Sequence, residues 1–351
     1  MDTVDLRSDF LARPSAAMRA AAERAAGSLH FGLREDPHQQ QLEARLAALL
    51  GKEDALVFPT CTMANTTALL LQAPPGSRVL TQPQAHVLVG EANAAAALGG
   101  LALAAVDAGA VEPAAMAMPD PARWQQALAG CADPQRPAVR LCVLENTHNR
   151  SGGWALPAAY GAEVARCARA AGARLHLDGA RLFHAAGALG CPLQELAAPF
   201  DTVSLSLNKA FGAPIAAALA GPRSLIAEAL GVRQRLGGGI RPVGAPCAAT
   251  LAALDEHAEL APLPALAARL ARGLAQCAGL RIAVREGLTN IVLAEPAWPG
   301  DTPHTVVQRL AAAGLLALAF DDRRIRFVLY RGIDADAVDR AIAIAQRALA
   351  R

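Results

Sequence analysis

The run Ser204-Leu205-Ser206-Leu207-Asn208-Lys209-Ala210-Phe211-Gly212-Ala213-Pro214 decides how the rest of this chain is read. Val203, Leu205 and Leu207 alternate with Ser204 and Ser206, which is the period of a strand. The strand runs into Lys209 and then a small turn containing Gly212. Lysine is scarce here, the positive charge being almost all arginine. One amine delivered by a strand end into an apolar, hydroxyl-lined turn suits Schiff-base chemistry, because desolvation disfavours ammonium relative to free amine. A solvated lysine at a strand end fits the same letters, and this stretch alone does not choose.

Working outward, short apolar strands alternate with helices. Strands are expected at Ala55–Phe58, Arg78–Thr81, Leu101–Val106, Val139–Leu144, Arg174–Leu177 and Ser204–Leu207, with helices at Thr62–Gln72, Gly90–Leu98, Pro121–Ala129 and Ala158–Ala171. Such alternation predicts an α/β fold, a mostly parallel sheet with helices on both faces. Two helices precede it: one after Pro14 with Ser15 near its start, and one from His38 closed by Gly51. Residues 5–9 read as a polar segment ahead of any regular element. After about residue 260 the texture changes to long helices and paired strands, a smaller α+β domain. The expected division is an N-terminal segment 1–35 packing with the small domain and the active site, a large domain 36–258 and a small domain 259–351.

Composition narrows the class. With 351 residues, 33 basic and 31 acidic side chains and no basic block, nothing calls for nucleic acid or an anionic membrane. Seven cysteines without a C-x-x-C pair suit buried thiols in a reducing compartment, and no metal is expected. The N-terminus lacks the basic and apolar regions of a signal peptide, and charges interrupt every long apolar run, so a soluble cytoplasmic protein is expected.

Ligands of open α/β sheets gather beyond the carboxyl ends of the strands, so polar residues there carry the functional argument. Thr60-Cys61-Thr62-Met63-Ala64-Asn65 joins a strand to a helix start, suited to a phosphate or simply to capping the helix. His86 follows the next strand, as a ligand or as an ordinary loop histidine. Glu145-Asn146-Thr147-His148-Asn149 sets five polar side chains after a buried strand, more hydrogen-bonding capacity than a turn needs. Asp178, ending a strand ahead of Gly179-Ala180-Arg181, suits a cationic ring nitrogen or a helix cap. Arg241 and Arg326 are candidate anion clamps, Arg326 because a guanidinium on an apolar strand needs a partner.

Together these blocks resemble the low-specificity threonine aldolases, pyridoxal-phosphate enzymes of the aspartate-aminotransferase-like fold (fold type I) within the β-eliminating lyase superfamily. The resemblance runs nearly end to end. It rests on Asp-Leu-Arg-Ser-Asp (5–9), Leu-Glu-Ala-Arg-Leu-Ala (42–47), Thr-Met-Ala-Asn (62–65), His86, residues 145–149, His-Leu-Asp-Gly-Ala-Arg-Leu-Phe (176–183), Lys209 with Gly212-Ala213-Pro214, Gly-Gly-Gly-Ile-Arg (237–241), Thr-Asn-Ile-Val (289–292) and Arg326. It implies that pyridoxal 5'-phosphate forms a Schiff base with Lys209, that Asp178 holds the ring-nitrogen proton and that His86 stacks on the ring. Cys61, Thr62 and Arg241, the last from a neighbouring subunit, would hold the phosphate. Arg181 would border the cofactor and, with Ser8 and Arg326, bind the substrate carboxylate, His148 lying near the β-hydroxyl.

The resemblance further implies a homo-oligomer, tetramer or dimer, that cleaves β-hydroxy-α-amino acids to glycine and an aldehyde. A β-eliminating lyase, a Cα racemase and a catalytically silent cofactor-binding relative are the alternatives. Thr60-Cys61, Leu88, Gly90, Asn208, Leu33-Arg34 and Leu329-Tyr330-Arg331 depart from the family pattern, while Glu91 keeps it. Most departures would border the β-substituent and subunit contacts.

Overall fold

The computed structural model describes residues 3–110, 112–129, 135, 137–209, 211–215 and 217–350. Ala210, beside Lys209, lies outside them, as do Met1 and Asp2 of the N-terminus. The chain forms two compact units. The larger comprises Pro14–Asn208 and Ala213–Glu256; the smaller comprises the segment ending at Arg13, Lys209–Gly212 and His257–Arg351.

The larger unit is built on seven strands: β2 (Asp54–Phe58), β3 (Arg78–Thr81), β4 (Ala102–Ala105), β5 (Val139–Glu145), β6 (Arg174–Gly179), β7 (Thr202–Ser206) and β8 (Ala217–Gly221). Their order is β2-β8-β7-β6-β5-β3-β4. The five strands from β7 to β4 are parallel, and β8 runs antiparallel to both β2 and β7. Neighbouring parallel strands need crossovers, which is why helices cover the sheet. Every residue of β7 and β8 is buried, so Ser204 and Ser206 face a packed layer rather than water. Ala64, Ala68 and Leu69 pack with Leu56, Phe58, Val79, Val143 and Leu219 in one apolar cluster.

Helices α1 (Ala16–Arg24) and α2 (Pro37–Leu50) precede this sheet, and α3 (Cys61–Gln72) and α4 (His86–Val89) follow β2 and β3. Ser15 caps α1 through Met18 N–H, and Asp36 caps α2 with Pro37 at its first position and Gly51 in the left-handed region at its end. Within the 42–47 block, the Glu43 carboxylate accepts from Val57 N–H (3.0 Å) and from Arg34 (2.7 Å), so this block ties α2 to β2. Residues 14–35 group with the larger unit rather than with 1–13, because Ala21 and Ala25 of the α1 region pack against Ala248 of the helix Gly244–Asp255.

In the smaller unit, β1 (Val4–Asp5) pairs in parallel with β11 (Leu315–Leu316), so the polar segment 5–9 begins in a strand. A four-stranded antiparallel sheet has the order β12-β13-β10-β9, from Leu318–Ala319 (β12), Ile325–Val328 (β13), Ile291–Pro296 (β10) and Leu280–Arg281 (β9). The helices Leu263–Leu274, Pro303–Ala312 and Ala335–Ala348 complete it. No helix among the described residues is long and apolar enough to cross a membrane.

The expected helix over Gly90–Leu98 is not what forms. α4 ends at Val89 and a second helix begins at Ala94. Ala92 and Asn93 between them adopt positive φ (49° and 57°), and the preceding Glu91 turns inward to hydrogen-bond. Alanine-rich composition favours helix through 90–98, but a buried carboxylate with two fixed partners overrides it.

Candidate active site

Parallel register lines up three polar residues at the carboxyl ends of adjacent strands. Glu145 on β5 stands opposite Asp178 on β6, and Asp178 opposite Ser204 on β7. Gly179 is needed beside Asp178, since a Cβ there would lie 2.6 Å from the Ser204 carbonyl and push β6 off β7. Asp178 is 1% exposed. Its Oδ1 accepts from Ala180 N–H (3.1 Å), and its Oδ2 accepts from Asn65 Nδ2 (2.9 Å).

Asn65, on α3, also donates to Glu91 Oε1 (2.9 Å), and Glu91 Oε1 meets His86 Nδ1 at 3.0 Å. One ligating atom each of His86, Glu91 and Asp178 therefore falls within 4.8 Å of the others. Burial pushes the Glu91 carboxyl up, and the hydrogen bond that His86 donates to Glu91 raises the imidazole above its ordinary range. Two carboxylates and one imidazole leave this cluster with room for another cation.

His86 opens α4 rather than sitting in a loop, and its N–H donates to Glu145 Oε2 (2.7 Å). Glu145 Oε1 accepts from Asn149 N–H (3.0 Å). His148 is fully buried; its Nδ1 meets Ser151 Oγ at 2.8 Å and its Nε2 lies 4.0 Å from Glu145 Oε2. A cavity of about 180 Å³ opens beside His86, lined also by Gln84, Val89, Gly90, Glu145, Asn149 and Arg150. At Gly90 a Cβ would come within 2.6 Å of the His86 ring, so glycine there gives the imidazole its seat.

Thr60 caps α3, its Oγ1 accepting from Met63 N–H (3.1 Å), which leaves Cys61 and Thr62 in the first turn with the positive end of the helix dipole. The Cys61 sulfur turns inward, 3.6 Å from Ser204 Oγ and 3.9 Å from Asp178 Oδ1. Arg181 is buried at the N-terminal end of the helix Leu182–Leu189. Arg241 is exposed, its guanidinium 5.1 Å from the centre of the Phe31 ring.

In the smaller unit, Ser8 Oγ accepts from Phe10 N–H (3.3 Å) and caps the short helix Asp9–Leu11. Lys209 is half-buried, with Nζ 5.5 Å from the centre of the Phe10 ring. The only other lysine, Lys52, donates to the Phe200 carbonyl (2.5 Å). Arg326, buried on β13, donates to the Arg7 carbonyl (3.4 Å) and lies 4.6 Å from the centre of the Phe320 ring.

Sequence reasoning singled out His86, Glu145, His148 and Asp178, which the larger unit brings together with Cys61. It missed the work of Asn65, Glu91, His176 and Ser204. Period alone could have found two of them: Asn65 shares a helix face with Cys61 at i, i+4, and His176 shares a strand face with Asp178 at i, i+2. Ser204 follows from parallel register.

A class follows from this geometry: an α/β enzyme with a buried carboxylate, a companion imidazole and a helix N-terminus along one sheet edge. The sequence profile of the β-eliminating lyases matches residues 5–297, and the chain belongs to that family. It is 34% identical to the low-specificity L-threonine aldolase 1 of Arabidopsis thaliana, over 99% of this chain and 97% of that relative. Among solved structures, a Leishmania major threonine aldolase superposes with a TM-score of 0.81 at 19% identity, covering 99% of both chains. A lysine-to-alanine variant of a serine palmitoyltransferase from S. paucimobilis, solved with a bound aldimine of pyridoxal phosphate and myriocin, superposes with a TM-score of 0.75 at 18% identity, over 99% of this chain and 87% of that one. The fold is accordingly the aspartate-aminotransferase-like one.

Proposed function

We propose that this chain is a pyridoxal-phosphate-dependent aldolase that cleaves the Cα–Cβ bond of β-hydroxy-α-amino acids, giving glycine and an aldehyde. The observation that carries the reading is Asp178: a buried carboxylate beside a second one, Glu91, in a cluster that one more cation would balance. A protonated pyridine nitrogen is such a cation, and the first turn of α3 suits a phosphate, so the residues present fit the cofactor. When bound, pyridoxal phosphate supplies an electron sink for the pair left on Cα as the bond breaks.

The chain's own residues take the remaining tasks. Lys209 supplies the amine that binds the cofactor covalently, and Asp178 keeps the ring nitrogen protonated. His86 covers the ring face, while Cys61, Thr62 and Arg241 hold the phosphate. Ser8, Arg181 and Arg326 hold the substrate carboxylate and orient the bond to be broken. We assign His148 Nε2 to take the β-hydroxyl proton, with Glu145 nearby to steady the imidazolium. The proton His148 takes from the hydroxyl is balanced by one delivered to Cα, which gives glycine.

Serine tests the reaction type directly. Glycine plus formaldehyde supports the aldolase; pyruvate plus ammonia would replace this reading with β-elimination. Arg326→Ala is expected to raise KM for threonine by about 10- to 100-fold, since a charge-assisted contact to a carboxylate is lost. An unchanged KM in steady-state assays would make Arg326 structural.

The same reading includes a homo-oligomer, a cytoplasmic location and partners limited to small amino acids. Leu29, Phe31 and Leu33 are exposed in one short segment, with Arg241 against Phe31, and an apolar run of this kind suits burial by another copy. Leu29→Asp is expected to lower the mass found by sedimentation equilibrium. A mass equal to that of the wild type would exclude this segment from the interface.

A further inference from the structure

Asn65 has its whole hydrogen-bonding capacity in use. Nδ2 donates both hydrogens, to Asp178 Oδ2 and Glu91 Oε1. Oδ1 accepts from Ser204 Oγ (2.5 Å) and His176 Nε2 (3.1 Å). Carboxylates only accept, so they dictate which end of the amide is nitrogen. That choice propagates. His176 carries its proton on Nε2, and its Nδ1 accepts from the Thr202 hydroxyl (2.8 Å), whose oxygen accepts from Gln72 Nε2 (2.7 Å). Burial lowers His176 to about 4, so this support is neutral at working pH.

We propose that Asn65 is a positioning residue for the cofactor: its single amide donates to Asp178 and Glu91 so that the two need not share a proton, with His86 also on Glu91, and it leaves Asp178 Oδ1, which already accepts from Ala180 N–H, a second lone pair for the ring nitrogen. Two carboxylates this close, with no donor between them, share a proton instead. A half-neutralised Asp178 no longer holds a protonated ring nitrogen. The inference rests on the cofactor reading above, and it adds what makes that carboxylate fit for its task. The charged and titratable groups around the amide are Cys61 on its own helix, His86 at the start of α4, Glu91 beyond it, Glu145 on β5, and His176 and Asp178 on β6.

The test measures cofactor affinity, not turnover. Apo-protein is titrated with pyridoxal phosphate at pH 8 and at pH 5.5, each variant being expressed relative to the wild type at the same pH. Asn65→Leu is expected to bind about 10- to 100-fold more weakly at both. Asn65→Asp is expected to be as weak at pH 8, where a third carboxylate faces the other two. Towards pH 5.5 it should recover at least several-fold, as the new carboxyl gains a proton and donates again. Ser204→Ala, which removes the hydroxyl that donates to the same amide's oxygen, is expected to weaken binding about threefold, and it serves if neither Asn65 variant folds. Leucine at wild-type affinity, an aspartate deficit that does not change with pH, or an unaffected Ser204→Ala would each overturn the proposal. A wild-type chain that binds no pyridoxal phosphate would instead remove the cofactor reading itself.

Discussion

Lys209→Ala is expected to abolish the visible absorbance that pyridoxal phosphate acquires on the wild-type chain, and to cut aldol cleavage by at least about 10²–10⁴-fold. The chain has two lysines. Lys52 is engaged with the Phe200 carbonyl. Lys209 follows β7 in the chain, at the third position after Ser206. Borohydride reduction of the wild type followed by peptide mass spectrometry should put the cofactor on the peptide containing residue 209. An adduct on residue 52, or one retained by Lys209→Ala, would end the assignment.

The second large effect is expected at Asp178. If Asp178 pairs with the protonated ring nitrogen as proposed, Asp178→Ala would remove one member of a buried pair of opposite charges, a change of about 3–5 kcal/mol, or roughly 10²–10⁴-fold in cofactor affinity. It also strands the Asn65 donor. Asp178→Asn keeps the shape but not the charge, so it should bind cofactor better than the alanine variant while losing most of kcat. An Asp178→Asn enzyme with the wild-type kcat would show that no ionised carboxylate is needed there. The two substitutions differ in what they spare: Lys209→Ala leaves the ring-nitrogen side intact, whereas Asp178→Ala leaves the amine intact.

Much of this site is legible in the one-dimensional pattern because its parts occupy distinctive places. A carboxylate ending an apolar strand, as at Asp178, and five polar residues after another, at 145–149, are costly unless they meet partners. Other parts are legible only in retrospect. Glu91 lies inside what composition reads as a helix, and the break around Ala92 and Asn93 exists because its carboxylate is held by His86 and Asn65. The inward direction of the Cys61 side chain is another such part, because it depends on Ser204 and Asp178, more than a hundred residues away.

The alternation of strand and helix, the strand-end position of Asp178 and the scarcity of lysine are local properties: each follows from neighbouring letters and their period. The strand order β2-β8-β7-β6-β5-β3-β4 and the register that sets Glu145, Asp178 and Ser204 side by side are not. Neither is the amide of Asn65 shared between two carboxylates. These depend on which backbones pair and how far each is shifted, and that is settled by burying many side chains at once, so no single stretch of the chain carries the information.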